Sequence, residues 1–267
     1  RHERARRAPR GAMKPRVVAI VPARMASTRY PGKPMAAIRG VPMIGHCYFR
    51  TAMAKTVDET WVATCDKVIF DYIRSAGGKA VMTKDAHERA SDRSAEAMLK
   101  IEAETGKTID IAVMVQGDEP MVWPDMIDDA VKLLLDDASC PIACLMGRIE
   151  DDAELEDPNC VKVVTDLKGR ALYFSREPIP SRKKGAKNAA RYRQVPIIPF
   201  RRDYLLRFNE LAPTPLEIAE SVDLMRCVEH GDAVKMAVTQ RRLISVDTPA
   251  DLVRAEAAMK DDSLIAQ

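Results

Sequence analysis

The chain has no uninterrupted apolar stretch near the ~20 residues that would cross a bilayer, which excludes a helical membrane span. It has no CxxC pair among its six cysteines (47, 65, 140, 144, 160 and 227), so zinc ribbons and dithiol redox centres are excluded. Free thiols in a reducing cytosol are the expectation, and with them a cytoplasmic protein. Neither GxxxxGK[ST] nor GxGxxG occurs, so kinase-type and nicotinamide-type readings lose their motif support. The chain also lacks a one-signed charge. Its net charge is +3, but Arg1, Arg4, Arg6, Arg7 and Arg10 stand against Glu3 in the first twelve residues. Setting that +4 aside leaves the body at −1, which is not the field of a non-specific nucleic-acid binder. Residues 1–12 lack the apolar centre of a secretory signal and read as a disordered or upstream extension ahead of Met13.

What remains is a chain of 267 residues, long enough for a large core. Its first half alternates β-rich runs with helical patterns. Val17–Val21 is a buried-strand signal, and Pro42 opens a helix. Thr60–Ala63 follows as a strand, then a helix capped by Asp66 and ending near Gly77-Gly78. Lys79–Met82 is a strand, and Ser91 or Asp92 caps a helix through Glu104. Ile109–Val115 is a strand and Pro124–Leu135 a helix. This order implies a parallel sheet covered on both faces. After residue 140 the strands Ile142–Met146, Cys160–Thr165, Ala171–Phe174 and Val195–Phe200 have fewer helices between them. Helical patterns return at Arg202–Asn209 and Leu216–Glu229, a strand at Val234–Val238 and a helix at Thr248–Met259. The expectation is one α/β domain over 13–267 with a β-rich insertion at about 150–210.

Open α/β sheets bind ligands beyond the carboxyl ends of their strands. The loop after the first strand, Pro22 to Pro34, holds three cations (Arg24, Arg29, Lys33), the hydroxyls of Ser27 and Thr28, and Gly32. Backbone N–H groups, hydroxyls and paired cations are what a triphosphate needs; a rigid basic turn is the bland counterpart. Gln116-Gly117-Asp118-Glu119-Pro120 follows the Ile109–Val115 strand, and Gly117 permits close backbone approach. Ser245-Val246-Asp247-Thr248-Pro249 sets another carboxylate before a helix. Each aspartate alone could merely cap a turn or helix. Together, two carboxylates beside a triphosphate loop suit Mg²⁺, which takes few protein ligands and keeps water and phosphate oxygens. Metal-assisted nucleotidyl transfer is the coherent chemistry.

Four segments then carry a resemblance. Val17–Lys33 with its trailing proline, Val115–Pro120 (VQGDEP), Ala171–Pro180 (ALYFSREPIP) and Val246–Leu252 (VDTPADL) resemble, in order, the 3-deoxy-manno-octulosonate cytidylyltransferases. The likeness spans residues 16–260. It implies a Rossmann-like nucleotidyltransferase fold of the glycosyltransferase-A type with a β-rich dimerisation subdomain. It also implies a homodimer, CTP as donor, an acidic 2-keto-3-deoxy sugar as acceptor and pyrophosphate as by-product. Pro22, Ala23, Arg24, Ser27, Thr28, Arg29 and Lys33 match its triphosphate loop, and Arg24, Lys33, Asp118 and Asp247 its catalytic set. Asp118 and Asp247 match the metal carboxylates. Asp92 and Arg93 match a pair near nucleotide and sugar, and Gln116, Gln194, Glu217 and Glu220 are carried over to the sugar side. His87 also matches, as a ligand contact or a structural residue.

Three segments depart from the family's pattern. Arg89-Ala90-Ser91 replaces Ser-Gly-Thr, and Gln194-Val195-Pro196-Ile197-Ile198 replaces a segment with His and Tyr. Asp223-Leu224-Met225-Arg226 replaces Glu-Gln-Leu-Arg. Retained chemistry with an altered acceptor pocket is one expectation, for example an 8-amino octulosonate; the ordinary sugar is the other. Arg176, Arg182, Lys183, Lys184, Lys187, Arg191 and Arg193 mark a basic loop: solvated, or able to attract an acidic sugar or a second subunit. A glycosyltransferase and a non-catalytic nucleotide sensor are the rival classes.

Overall fold

A computed structural model describes residues 14–27, 29–185 and 188–264. The 1–12 extension, Thr28 and Lys187 lie outside the described residues. The strands are β1 (Val17–Ala23), β2 (Ala37–Ile38), β3 (Val41–Pro42), β4 (Glu59–Thr64), β5 (Ala80–Met82), β6 (Ile111–Val115), β7 (Ile142–Arg148), β8 (Lys162–Thr165), β9 (Ala171–Ser175), β10 (Tyr192–Val195), β11 (Ile197–Arg201) and β12 (Val234–Thr239). The helices are α1 (Met43–Ala52), α2 (Lys67–Ser75), α3 (Ala90–Thr105), α4 (Pro124–Asp136), α5 (Asp152–Glu156), α6 (Arg202–Glu210), α7 (Pro215–Glu220), α8 (Leu224–Glu229) and α9 (Pro249–Ala258).

All strands but the small β2–β3 hairpin join one sheet. β5, β4, β1 and β6 run parallel, as their helical crossovers require. β11 lies antiparallel between β6 and β7, and β12 runs parallel to β7 on its other edge. The 150–210 segment forms no separate layer: β10 and β11 pair directly with β7 and β6, and β8–β9 extend the sheet beyond β10.

β1 shows why the sheet is covered on both faces. Its side chains alternate, and every residue is buried. Val17, Ala19 and Val21 meet a cluster that includes Ile44 of α1, Ile69 of α2 and Ile127 of α4. Val18 and Ile20 meet Met98 and Ile101 of α3, Phe208 of α6 and Leu224 of α8. A continuous apolar run is thus the signature of a strand with no solvent face.

Several expectations shift. Neither Ser91 nor Asp92 caps α3, which starts at Ala90 with Arg89 at its N-cap; both lie inside the first turn. Asp66 stands at the N-cap of α2, yet its carboxylate accepts from the Met25 backbone N–H at 2.7 Å rather than capping the helix. The pattern at Leu216–Glu229 is two helices, because Ser221 takes a left-handed φ of 52° between them. β8 begins at Lys162 rather than Cys160; the buried Lys162 ammonium donates to the carbonyls of Asp157, Cys160 and Arg176. All six cysteines are free. No described helix is long and apolar enough to cross a membrane.

Candidate active site

The site sits where β1 and β6 end side by side. After Ala23 the chain leaves the sheet and closes into a loop. Gly32 N–H donates to the Met25 carbonyl at 3.0 Å, with Gly32 at φ 76°, and Tyr30 N–H donates to the Ser27 hydroxyl. The Asp66 carboxylate holds Met25 from β4's side, so the loop is anchored at its root. At the end of β6, a β-carbon on Gly117 would lie 2.6 Å from the Pro22 carbonyl oxygen. Only glycine lets these two strand ends come so close, which is the physical reason for glycine before Asp118.

A cleft of about 690 Å³ opens here, within the range of small-molecule sites. Pro22, Ala23, Arg24, Ser27, Arg29 and Lys33 line it from the loop, and Gln116 and Asp118 from β6. Arg93 reaches it from α3, together with His87 and Arg89. Arg93 is nearly buried and braces the wall, donating to the Thr83 hydroxyl and to the carbonyls of Lys84 and His87.

The two aspartates converge. Lys33 Nζ donates to Asp118 Oδ2 at 2.9 Å, to Asp247 Oδ1 at 3.1 Å and to the Val246 carbonyl at 2.9 Å. Arg29 adds a second contact to the same Asp247 oxygen at 2.9 Å. Asp247 is free to do this because Thr248, not Asp247, caps α9, in a capping box with Asp251. Burial acts to lower the Lys33 pKa, but Asp118 and then Asp247 outweigh it and hold the ammonium above its ordinary value. The segments are stitched together: Val246 N–H donates to the Asp118 carbonyl at 2.9 Å, and the Ser245 hydroxyl donates to Glu119. Burial, followed by the Asp118 charge, pushes the Glu119 carboxyl up to about 8.

Two carboxylates gathered on one cation suit a magnesium ion that keeps water and phosphate oxygens as its other ligands. Among the described residues no cluster of three or more His, Cys, Asp or Glu forms a full protein cage.

Several residues expected near ligand make contacts within the protein or lie off the cleft wall in this structure. Glu217 does not line the cleft; it is buried in a bidentate pair with Arg226 at 2.8 and 2.7 Å, and it also accepts from Arg89. Glu220 accepts from Tyr173, Ser175 and the Arg176 backbone, tying α7 to β9. Gln194 lies in β10, paired with β7, and is not part of the cleft wall. Asp92 is likewise off the wall. The basic loop is partly paired: Arg182 and Arg191 pair with Asp152, Arg193 pairs with Glu154, and Arg176 spends its donors on the Glu220, Pro158 and Ser221 carbonyls. The residues not anticipated are Arg89, Glu119 and Ser245. Arg89 left a trace as a departure from the family's pattern and Glu119 as a carboxylate at the end of an apolar strand; Ser245 left none.

A mixed sheet with this strand order, a cationic loop after β1 and two convergent aspartates define a nucleotidyltransferase. Residues 18–242 match the profile of the Cytidylyltransferase family. The chain is 44% identical over 89% of its length to a 3-deoxy-manno-octulosonate cytidylyltransferase of Geobacter metallireducens, 95% of which is covered. A namesake from Myxococcus xanthus is 42% identical over 92% of this chain and 97% of its own. A CMP:2-keto-3-deoxy-manno-octonic acid synthetase structure complexed with CTP superposes with a TM-score of 0.85 at 38% identity, covering 91% of this chain and 98% of the other. A 4-diphosphocytidyl-2C-methyl-D-erythritol synthase of Anaerococcus prevotii shares the fold alone, at 13% identity, TM-score 0.62, and coverage of 92% and 97%. The chain belongs to the 3-deoxy-manno-octulosonate cytidylyltransferase family.

Proposed function

We propose that the enzyme transfers CMP from CTP to the anomeric hydroxyl of 3-deoxy-manno-octulosonate. The observation that carries this is the meeting of Asp118 and Asp247 around one cation beside the loop of Arg24, Ser27, Arg29 and Lys33. The relatives' shared name supports the acceptor, and the CTP-bound neighbour supports the nucleotide.

Arg24, exposed at the cleft mouth, and Arg29 and Lys33 offset the triphosphate charge, while Ser27 and loop N–H groups bond its oxygens. Asp118 and Asp247 would hold Mg²⁺, which when bound offsets charge on the reacting phosphoryl group. Gln116 and the wall of His87, Arg89 and Arg93 face the remaining space for the sugar. The anomeric oxygen bonds to the α-phosphorus, the bond to the β-phosphate oxygen breaks, pyrophosphate leaves and the hydroxyl proton passes to water. Catalysis of this kind rests on positioning and preorganised charge.

A second acceptor reading has an observation of its own. Two departures from the family's pattern meet in space: Arg89 on the cleft wall pairs with Asp223 at 3.2 Å. A site whose polar partners change discriminates against a hydroxyl that needed the old ones, so an 8-amino octulosonate or another 2-keto-3-deoxy acid is the alternative. Pyrophosphate release from CTP, measured with octulosonate and with its 8-amino analogue, decides. Higher kcat/KM for octulosonate is the expected result; preference for the analogue moves the acceptor assignment. No release with any keto-acid overturns the enzyme reading. Assembly as a homodimer through 150–210 belongs to the same proposal, with light scattering as its test.

A further inference from the structure

We propose that Lys33 is a positioning residue that stands in for the metal before substrate arrives, so that nucleotide and divalent cation bind cooperatively. This rests on the reading of Asp118 and Asp247 as the metal carboxylates. An ammonium has three donors, and all three of Lys33's are spent: on Asp118, on Asp247 and on the Val246 carbonyl. The side chain is mostly buried, with 13% of its surface exposed, and is gripped by both carboxylates at once. Arg29 contributes more positive charge on the Asp247 oxygen. A divalent cation approaching the unliganded protein therefore meets a site already neutralised, and can enter only if the ammonium leaves.

The triphosphate provides the reason to leave. Lys33 lines the cleft in the same loop as Arg24 and Ser27, so phosphate oxygens offer its ammonium alternative acceptors at short range. Once it turns to them, both carboxylates are bare at the moment the innermost phosphate brings its own oxygens. By linkage, nucleotide then strengthens metal binding by the same factor as metal strengthens nucleotide binding. Before nucleotide binds, Lys33 also keeps two like charges from repelling across the gap between β6 and the approach to α9.

The test is binding of Mn²⁺ alone, followed by electron paramagnetic resonance on the unliganded full-length protein. Wild type should bind weakly. Lys33→Met keeps the aliphatic stem but removes the charge, and should tighten Mn²⁺ binding on the order of tenfold, a coupling of ordinary allosteric size. The double variant Lys33→Met/Asp118→Asn should lose that gain. Thermal unfolding checks that each variant is folded, and Lys33→Gln serves if the methionine variant is not. Binding by the Lys33 variants no tighter than wild type overturns the inference. If wild type with CTP binds Mn²⁺ normally in that case, only the role of Lys33 fails. If no protein binds Mn²⁺ even with CTP, the metal reading fails with it.

Discussion

Two clusters of acid and base lie on opposite sides of the cleft wall, and they are built for opposite purposes. At the nucleotide end, Lys33, Asp118 and Asp247 meet through single-point contacts, and the two carboxylates keep 31% and 30% of their side-chain surface exposed. Behind the α3 end, Glu217 and Arg226 form two parallel contacts at 1% and 4% exposure. There Arg226 stacks over Phe208 with its guanidinium carbon 4.6 Å from the ring centre and donates to the Phe208 and Leu211 carbonyls. A flexible ammonium at the edge of a cleft can be exchanged for another cation; a planar guanidinium held by three kinds of contact cannot. The first cluster is an open, exchangeable contact and the second is a fastening between α6, α7 and α8.

Three experiments sharpen that contrast. The largest expected effect is at the exchangeable cluster. Asp118→Asn should cut turnover by on the order of 10²–10³ or more, as removal of one transition-state stabiliser does, while leaving the unfolding midpoint close to wild type. Pyrophosphate release and a urea titration read the two quantities, and near-normal kcat would erase the distinction. Glu217→Ala should do the reverse. It strands a buried arginine, which costs about 3–5 kcal/mol of stability, and it leaves the KM for CTP unchanged in the folded fraction. Unchanged stability with a raised sugar KM would return Glu217 to the acceptor pocket.

The smallest effect is at a third cluster, away from the cleft. Burial acts to raise the Glu59 pKa, but hydrogen bonds from Lys79, Arg16 and Trp61 win and hold it near 2 against an ordinary 4.5. A depressed carboxyl stabilises the fold above its unfolded pKa, and that contribution fades as pH falls from about 4.5 toward 2. Glu59→Gln should therefore lower the melting temperature at neutral pH and flatten its fall over this window. An unchanged acid limb would remove Glu59 from the account.

The same contrast explains what the sequence disclosed. β1, its loop and the end of β6 were legible because they are local: an apolar run marks a two-sided strand, and small, cationic and hydroxyl residues cannot fill a core. Asp118 and Asp247 lie far apart in the chain, and chemistry rather than spacing suggested that they meet. Glu217 and Glu220 show the ambiguity of an acidic residue in sequence: a carboxylate near the sugar segment looks the same whether it faces a ligand, a buried arginine or neighbouring backbone. Ser91 and Asp92 are good capping residues that the first turn of α3 simply includes. The 150–210 strands read as a β-rich insertion, and local pattern carries no information about which edge of the sheet they join. Arg89 and Asp223 stood out in the sequence only as separate departures from the family's pattern, since only the fold brings them together.

The near-contact at Gly117 constrains how this enzyme can diverge. Any side chain there would wedge the ends of β1 and β6 apart at the floor of the cleft. A lineage adopting a new acceptor would have to remodel the opposite wall around Arg89 and Asp223, where side chains rather than backbone set the shape. The floor is committed to one task, and the room for novelty lies across from it.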